Sequence, residues 1–186
     1  MQKKFFRAII IFFLVISGQS ILAKDKHQKD MFFDPSDGRD DPMIIAVKRV
    51  ENQMNGRVYR VHLEQKGKRL SIFEIHAMSN QTAVTVEADG RSGQIINATD
   101  DGFWANWTDI DVKKVASESK ITMGKAIQIA QGQCSGKALK ARIEYTDNTA
   151  IFSVSYVNPQ EACITHVDPT SGKVIKVELK ENKHHK

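Results

Sequence analysis

The chain has 186 residues, a formal net charge of +5, 41% hydrophobic residues and two cysteines. Residues 1–23 carry three positive and no negative charges, so the rest of the chain has a formal net charge of only +2. Its acidic and basic residues are interspersed, which argues against a nucleic-acid partner.

The N-terminal segment has the pattern of a secretory signal peptide. Lys3, Lys4 and Arg7 precede an apolar run, Ala8 to Ile16, that is too short to span a bilayer. We predict a signal peptide over 1–23, a periplasmic or secreted chain of about 160 residues, and no membrane association after cleavage. The polar residues that follow predict a flexible leader over 24–41.

Two stretches of the exported chain align with each other. Residues 42–64 align with 122–144 without a gap, and 72–96 align with 151–175 after one deletion in the polar stretch between the blocks. Blocks that keep their register across a loop indicate an internal duplication. The predicted divisions are a first unit over 42–98, a connector over 99–120, a second unit over 121–180 and a basic tail over 181–186.

Each unit is predicted to contain one helix followed by short strands. Apolar residues first recur with helical spacing, then alternate with polar residues at a period of two. The helical stripes are Met43, Ala46, Val47, Val50 and Met54 in the first unit, and Met123, Ala126, Ile127, Ala130 and Cys134 in the second. We therefore predict an α+β fold of two repeated units, each with one helix packed on a three- or four-stranded antiparallel sheet.

Two related turns are predicted between the last strands of each unit, in the segments DGRSG and DPTSG. Asp89 and Asp168 can accept hydrogen bonds from turn amides, and Gly93 and Gly172 can adopt a positive φ. We interpret these four residues as structural, because the turns lack the converging ligands of a calcium or phosphate site.

The second unit contains the segments TMGKAIQIA, GKALKARIEY, IFSVSYV and VDPTSGKVIKVEL, between Ile121 and about Leu179. Together these segments resemble a PepSY domain, a module of thermolysin-type peptidase propeptides and of bacterial exported proteins. The first unit departs more, with EADGRSGQII in place of the usual ending. The resemblance implies a helix on an antiparallel sheet, a bacterial periplasmic or extracellular location, and binding of peptidases or other proteins. It implies no catalytic residues.

The two cysteines are predicted to form a disulfide. Cys134 aligns with Met54 and Cys163 with Val84, so both cysteines replace apolar residues that a helix end and a strand could bring together. Export to an oxidising compartment permits the bond. Two free buried thiols are the alternative.

No metal site, cofactor or catalytic centre is predicted. The histidines appear scattered along the sequence, with His62 and His76 on polar strand faces, His27 in the leader, and His184 and His185 in the tail. Cys163 and His166 are three residues apart on a predicted strand and would point to opposite faces, which argues against a Cys/His dyad.

The connector carries the chain's two tryptophans. Phe103, Trp104 and Trp107 lie among acidic residues in DDGFWANWTDIDVKK. These rings could pack into a joint between the units, or they could form an exposed patch that docks a partner. These three residues are candidate partner-binding residues.

The leading functional hypothesis is an exported, non-enzymatic module that binds another exported protein, with a peptidase as the candidate partner that the resemblance suggests. It would act as an inhibitor or folding helper, through the outer sheet face or by strand addition at an open edge. The alternative is a periplasmic protein that senses a small ligand or a metal through a cleft between the two units.

Overall fold

The computed structural model describes residues 40–67, 70–79, 82–102, 110–146 and 149–181. These residues form three helices and eight strands in an α+β fold. The helices are α1 (Pro42–Met54), α2 (Ile110–Glu118) and α3 (Met123–Gln131). The strands are β1 (Arg57–Lys66), β2 (Leu70–Ser79), β3 (Thr82–Asp89), β4 (Ile95–Gly102), β5 (Lys137–Thr146), β6 (Thr149–Val157), β7 (Glu161–Val167) and β8 (Val174–Glu181). The predicted signal peptide and most of the predicted leader lie outside the described residues.

All eight strands belong to one antiparallel sheet in the order β4-β3-β2-β1-β5-β6-β7-β8. The sequence predicted a three- or four-stranded sheet in each unit, and in the structure two sets of four strands join into one continuous sheet. β1 pairs with β5, with Val61 opposite Ala141 at the centre of the pairing. We call α1 with β1–β4 the first half and α3 with β5–β8 the second half. Without this pairing, each half would expose a row of unpaired backbone groups at the edge formed by β1 or β5.

The helices cover one face of the sheet, and a single hydrophobic core lies between them. The core draws on α1, α2 and α3 and on the inward residues of the strands, including Phe73, Ile75, Phe152 and Val154. We call this helix-covered side the inner face and the opposite, mostly polar side the outer face. The alternation seen in the sequence assigned most strand residues to these faces, because successive strand side chains point in opposite directions.

The first helix is bounded by residue types that suit helix ends. Asp41 is its N-cap, with the carboxylate accepting a hydrogen bond from the Met43 amide at 2.7 Å, and Pro42 occupies the first turn. Asn55, in the left-handed conformation at φ +46°, ends it beside Gly56.

The third helix is shorter than the sequence pattern suggests. It begins after its N-cap Thr122 and stops at Gln131, with Gly132 as the C-cap residue. Gly136 lies immediately before β5 at φ +104°. Cys134 therefore follows the helix rather than completing its apolar stripe.

The predicted connector contains structure that the sequence pattern did not indicate. β4 continues to Gly102, and α2 follows from Ile110 to Glu118. Ala116 of α2 is buried in the core, and the Lys113 ammonium lies 5.9 Å from the centroid of the Tyr59 ring. α2 packs against β1 and β5, the two strands that join the halves of the sheet. Among the described residues, no helix is sufficiently long and apolar to cross a membrane.

Candidate functional site

The segments DGRSG and DPTSG, called the Asp-Gly turns because each begins with Asp and ends with Gly, have closely similar hydrogen bonding. Asp89 accepts hydrogen bonds from the amides of Arg91 and Ser92 and from the Ser92 hydroxyl. Asp168 accepts the corresponding bonds from Thr170 and Ser171. Burial opposes ionisation of Asp89, but these bonds outweigh it and lower the pKa of its carboxyl. The hydrogen bonds from Ser171 lower the pKa of Asp168.

The glycines of these turns share a backbone conformation but not an environment. Gly93 has φ +66° and Gly172 has φ +71°. A Cβ atom on Gly93 would lie 2.5 Å from the Pro42 carbonyl oxygen, whereas one on Gly172 would meet the side chains of Ile129 at 3.4 Å and Ile121 at 3.6 Å, which are ordinary contacts. The first turn is therefore pressed against α1, and it also offers its Gly93 carbonyl to Arg49 at 2.9 Å.

Cys134 and Cys163 form a disulfide with a Cα–Cα distance of 5.8 Å. The bond joins the segment after α3 to the inner face of β7, and both residues are buried. His166 projects from the outer face of β7, where its Nε2 atom lies 3.3 Å from Glu178. The cysteine sulfurs therefore have a structural role and are separated from this histidine by the sheet.

Two carboxylates of the first half contact backbone amides of the second half. Asp41 accepts from the Ala138 amide at 3.1 Å, and Glu51 accepts from the Met123 amide at the start of α3 at 3.1 Å. Burial raises the pKa of both carboxyls, although these amide bonds partly oppose the increase. Both contacts help to fix α1 relative to the second half.

The aromatic residues Phe103, Trp104 and Trp107 lie outside the described residues. The two alternatives for these rings, a packed joint and an exposed docking patch, therefore both stay predictions.

A polar hollow of about 310 Å³ lies on the outer face of the second half. Its lining comes entirely from β5 to β8, so it is not the predicted cleft between two units. The residues that line it are Lys140, Arg142, Glu144, Ser153, Ser155, Ile164, His166 and Glu178. Arg142 is paired with Glu144, and His166 faces Glu178, so most of its charges already have an opposite charge nearby.

The outer face of the first half brings together two histidines that appear scattered in the sequence. His62 of β1 and Glu74 of β2 are cross-strand partners, and His76 follows Glu74 on the same face. Glu74 Oε1 lies 2.9 Å from His76 Nε2 and 3.8 Å from His62 Nε2. These three side chains could hold a metal ion. The alternation of His62 and His76 with apolar residues was a sequence signal that both lie on the polar face. The pairing of β1 with β2 is what brings them together at Glu74.

Edge strand β8 exposes apolar side chains that the helices do not cover. Val177 pairs with Thr165 and Leu179 with Cys163, so both project from the inner face, and Ile175 lies at the register shift opposite His166 and Val167. Their exposed fractions are 54% for Ile175, 38% for Val177 and 62% for Leu179. β8 is also the end of the sheet, so its outer edge has no neighbouring strand among the described residues. We call these three residues and the free edge the β8 surface.

Comparison with known proteins relates part of the chain to a family. Residues 120–178 match the family described as the peptidase propeptide and YPEB domain, PepSY. This match confirms the resemblance of the second unit, while that of the first unit stays a prediction. No curated protein matches the chain.

Two solved structures are similar to most of the chain at low identity. One is a predicted lipoprotein from Clostridium difficile 630, with 14% identity, a TM-score of 0.44, and coverage of 76% of this chain and 96% of that one. The other is the C-terminal domain of YpeB from Bacillus megaterium, with 13% identity, a TM-score of 0.30, and coverage of 76% and 64% respectively.

Proposed function

We propose that this chain is an exported, non-enzymatic module that binds a peptidase, as an inhibitor or folding helper, by adding an extended segment of that partner to the β8 surface. The signal-peptide pattern of residues 1–23 supports export. The description of the family that matches residues 120–178 supports a peptidase as the partner. The β8 surface is the observation that carries the proposed mode of binding.

The β8 surface has the two properties that strand addition requires. A free strand edge offers backbone N–H and C=O groups to an incoming strand, and side chains beside the edge give specificity. Here Ile175, Val177 and Leu179 offer an exposed apolar row, whereas the alternate residues Lys176 and Glu178 form an ion pair with an N–O distance of 2.9 Å. Covering the apolar row would remove it from water, which favours association.

We also propose that the first half is a diverged copy of the PepSY-like unit. A register shift between Val58 and Arg60 in β1 has its counterpart between Ala138 and Lys140 in β5. The order of one helix and four strands occurs in both halves. Such repeated irregularities support duplication, because β-bulges are specific features of a fold.

Substitution at the β8 surface tests the mode of binding. Leu179→Lys places a charge in the apolar row at a position that is 62% exposed, so the fold should tolerate it. The exported full-length protein and this variant would be crosslinked in the native host and their partners identified by mass spectrometry. We expect wild type to capture a peptidase and Leu179→Lys to capture at least tenfold less of it.

The opposite edge of the sheet provides a matched control. Ile96 in β4 is 55% exposed, and Ile96→Lys should leave capture unchanged. The activity of the purified peptidase would then be measured with each variant. Equal capture by Leu179→Lys and wild type, or no peptidase among the partners, would contradict the proposal. Dimers of the purified chain that Leu179→Lys abolishes would instead identify a second copy as the occupant of β8.

A further inference from the structure

The outer face of the first half contains three potential metal ligands that converge on one point. One ring nitrogen of His62, one ring nitrogen of His76 and one carboxylate oxygen of Glu74 all lie within 4.8 Å of one another. All three side chains are partly buried, with exposed fractions of 21% to 27%. Packing therefore restrains them, while an ion can still approach from solvent.

Hydrogen bonding defines the free nitrogen of His76. The Thr85 hydroxyl lies 2.6 Å from Asp101 Oδ2 and donates its only proton there. Thr85 Oγ1 also lies 3.2 Å from His76 Nδ1, so that nitrogen must be the donor in this second contact. His76 Nε2 then faces the Glu74 carboxylate with a lone pair, unless a second proton or a cation lies between them.

The geometry allows one metal ion to contact all three groups. The same Glu74 oxygen is approached by His76 Nε2 at 2.9 Å and by His62 Nε2 at 3.8 Å. The two imidazole rings are nearly parallel, with an interplanar angle of 15°. A proton bridges one pair of atoms, whereas a metal ion is coordinated by all three groups together.

We propose that His62, Glu74 and His76 form a binding site for a divalent transition-metal ion, with Zn²⁺ as the representative ion. Two imidazoles and one carboxylate are a ligand set that Zn²⁺ uses in sites that keep a further coordination position open. Thr85 and Asp101 form the outer shell that orients His76, as hydrogen-bonded groups behind metal ligands commonly do.

Neighbouring charges of both signs affect the affinity of this site for a cation. Glu64 Oε1 lies 2.8 Å from His62 Nε2 and adds a negative charge near the site. Arg60 is the cross-strand partner of His76, and Lys140 is that of His62, so two cations also stand beside it. His62 Nδ1 is buried without a hydrogen-bond partner among the described residues. Loss of His76 should therefore weaken binding more than loss of His62.

Zn²⁺ titration of the full exported chain against a competing fluorescent chelator tests the site. We expect one equivalent of Zn²⁺ to bind, and His76→Ala or Glu74→Gln to abolish that equivalent. Thr85→Val keeps all three ligands and should lower Zn²⁺ affinity about 10- to 100-fold, the usual effect of losing an outer-shell partner. Thr85→Ser keeps the hydroxyl and should restore the Zn²⁺ affinity that Thr85→Val loses. A role of Thr85 in packing alone would not predict this recovery of Zn²⁺ affinity.

Two controls separate this site from other histidines of the chain. His166→Ala removes a histidine whose Nε2 atom lies 3.3 Å from Glu178, and a His184→Ala/His185→Ala variant removes the histidines of the tail. Both should retain the tight equivalent, and circular dichroism would verify that each variant is folded. No bound Zn²⁺ in wild type, or equal binding by folded wild type and His76→Ala, would overturn the proposal.

Discussion

The two halves of the sheet share an inner face but differ on the outer face. The positions of His62, Glu74 and His76 align with Arg142, Ser153 and Ser155 in the second half. The first set converges on one carboxylate oxygen, whereas the second lines the polar hollow. The inner positions stay apolar in both halves because they fill one core. Outer positions carry no such packing constraint, so the two halves can differ in what they bind.

The disulfide is a difference between the halves inside the core. Removing it with a Cys134→Ala/Cys163→Ala variant should lower the free energy of unfolding by about 3–4 kcal/mol, because a loop with a sequence separation of 29 is no longer closed in the unfolded chain. Urea denaturation would measure the loss. Wild type in reducing agent provides a matched comparison, because reduction opens the loop without removing the cysteine side chains. An unchanged urea midpoint in reducing agent would contradict the prediction.

The paired glycines test how closely each Asp-Gly turn approaches its helix. Gly172→Ala should cost about 1–2 kcal/mol, the usual cost of a side chain in the left-handed conformation. Gly93→Ala should cost about 3 kcal/mol or more, because its Cβ atom would also collide with the Pro42 carbonyl. Thermal and urea unfolding of both variants would measure the difference. Equal losses would show that the first turn can move away from α1.

Titration should separate the turn aspartates from the buried Asp41. The pKa values of Asp89 and Asp168 lie below the ordinary value of 3.8, whereas that of Asp41 lies above it. The folded state therefore favours ionised Asp89 and Asp168, and the stability they contribute is present above pH 3.8 and lost as pH falls through their folded values. For Asp41 the sign is reversed, because ionisation in the folded state costs stability as pH rises past 3.8.

NMR titration of the carboxyl groups would measure the pKa values of Asp41, Asp89 and Asp168 directly. Asp168→Asn should lower stability at neutral pH by an amount that shrinks below pH 3.8, with Asp89→Asn as its matched variant. A stability difference that persists unchanged at low pH would assign the effect to packing of the turn rather than to ionisation.

Local features of the fold could be predicted because they depend on consecutive residues. The spacing of Met43, Ala46 and Val47 indicated α1, and strand alternation indicated which residues face the core. The alignment of Cys134 and Cys163 with apolar residues led to the disulfide that the structure contains. Helix α2 was missed, since its short apolar pattern lies in a segment rich in acidic residues.

The sequence by itself determined the helices that open each half, the inward faces of the strands and the Asp-Gly turns, because periodicity and turn hydrogen bonds act within a few residues. Only the tertiary structure decided that β1 pairs with β5, that His62 and His76 meet at Glu74, and that β8 is left uncovered. These features depend on which strands pair and in what register. That choice is made by contacts between distant parts of the chain, which no local pattern records.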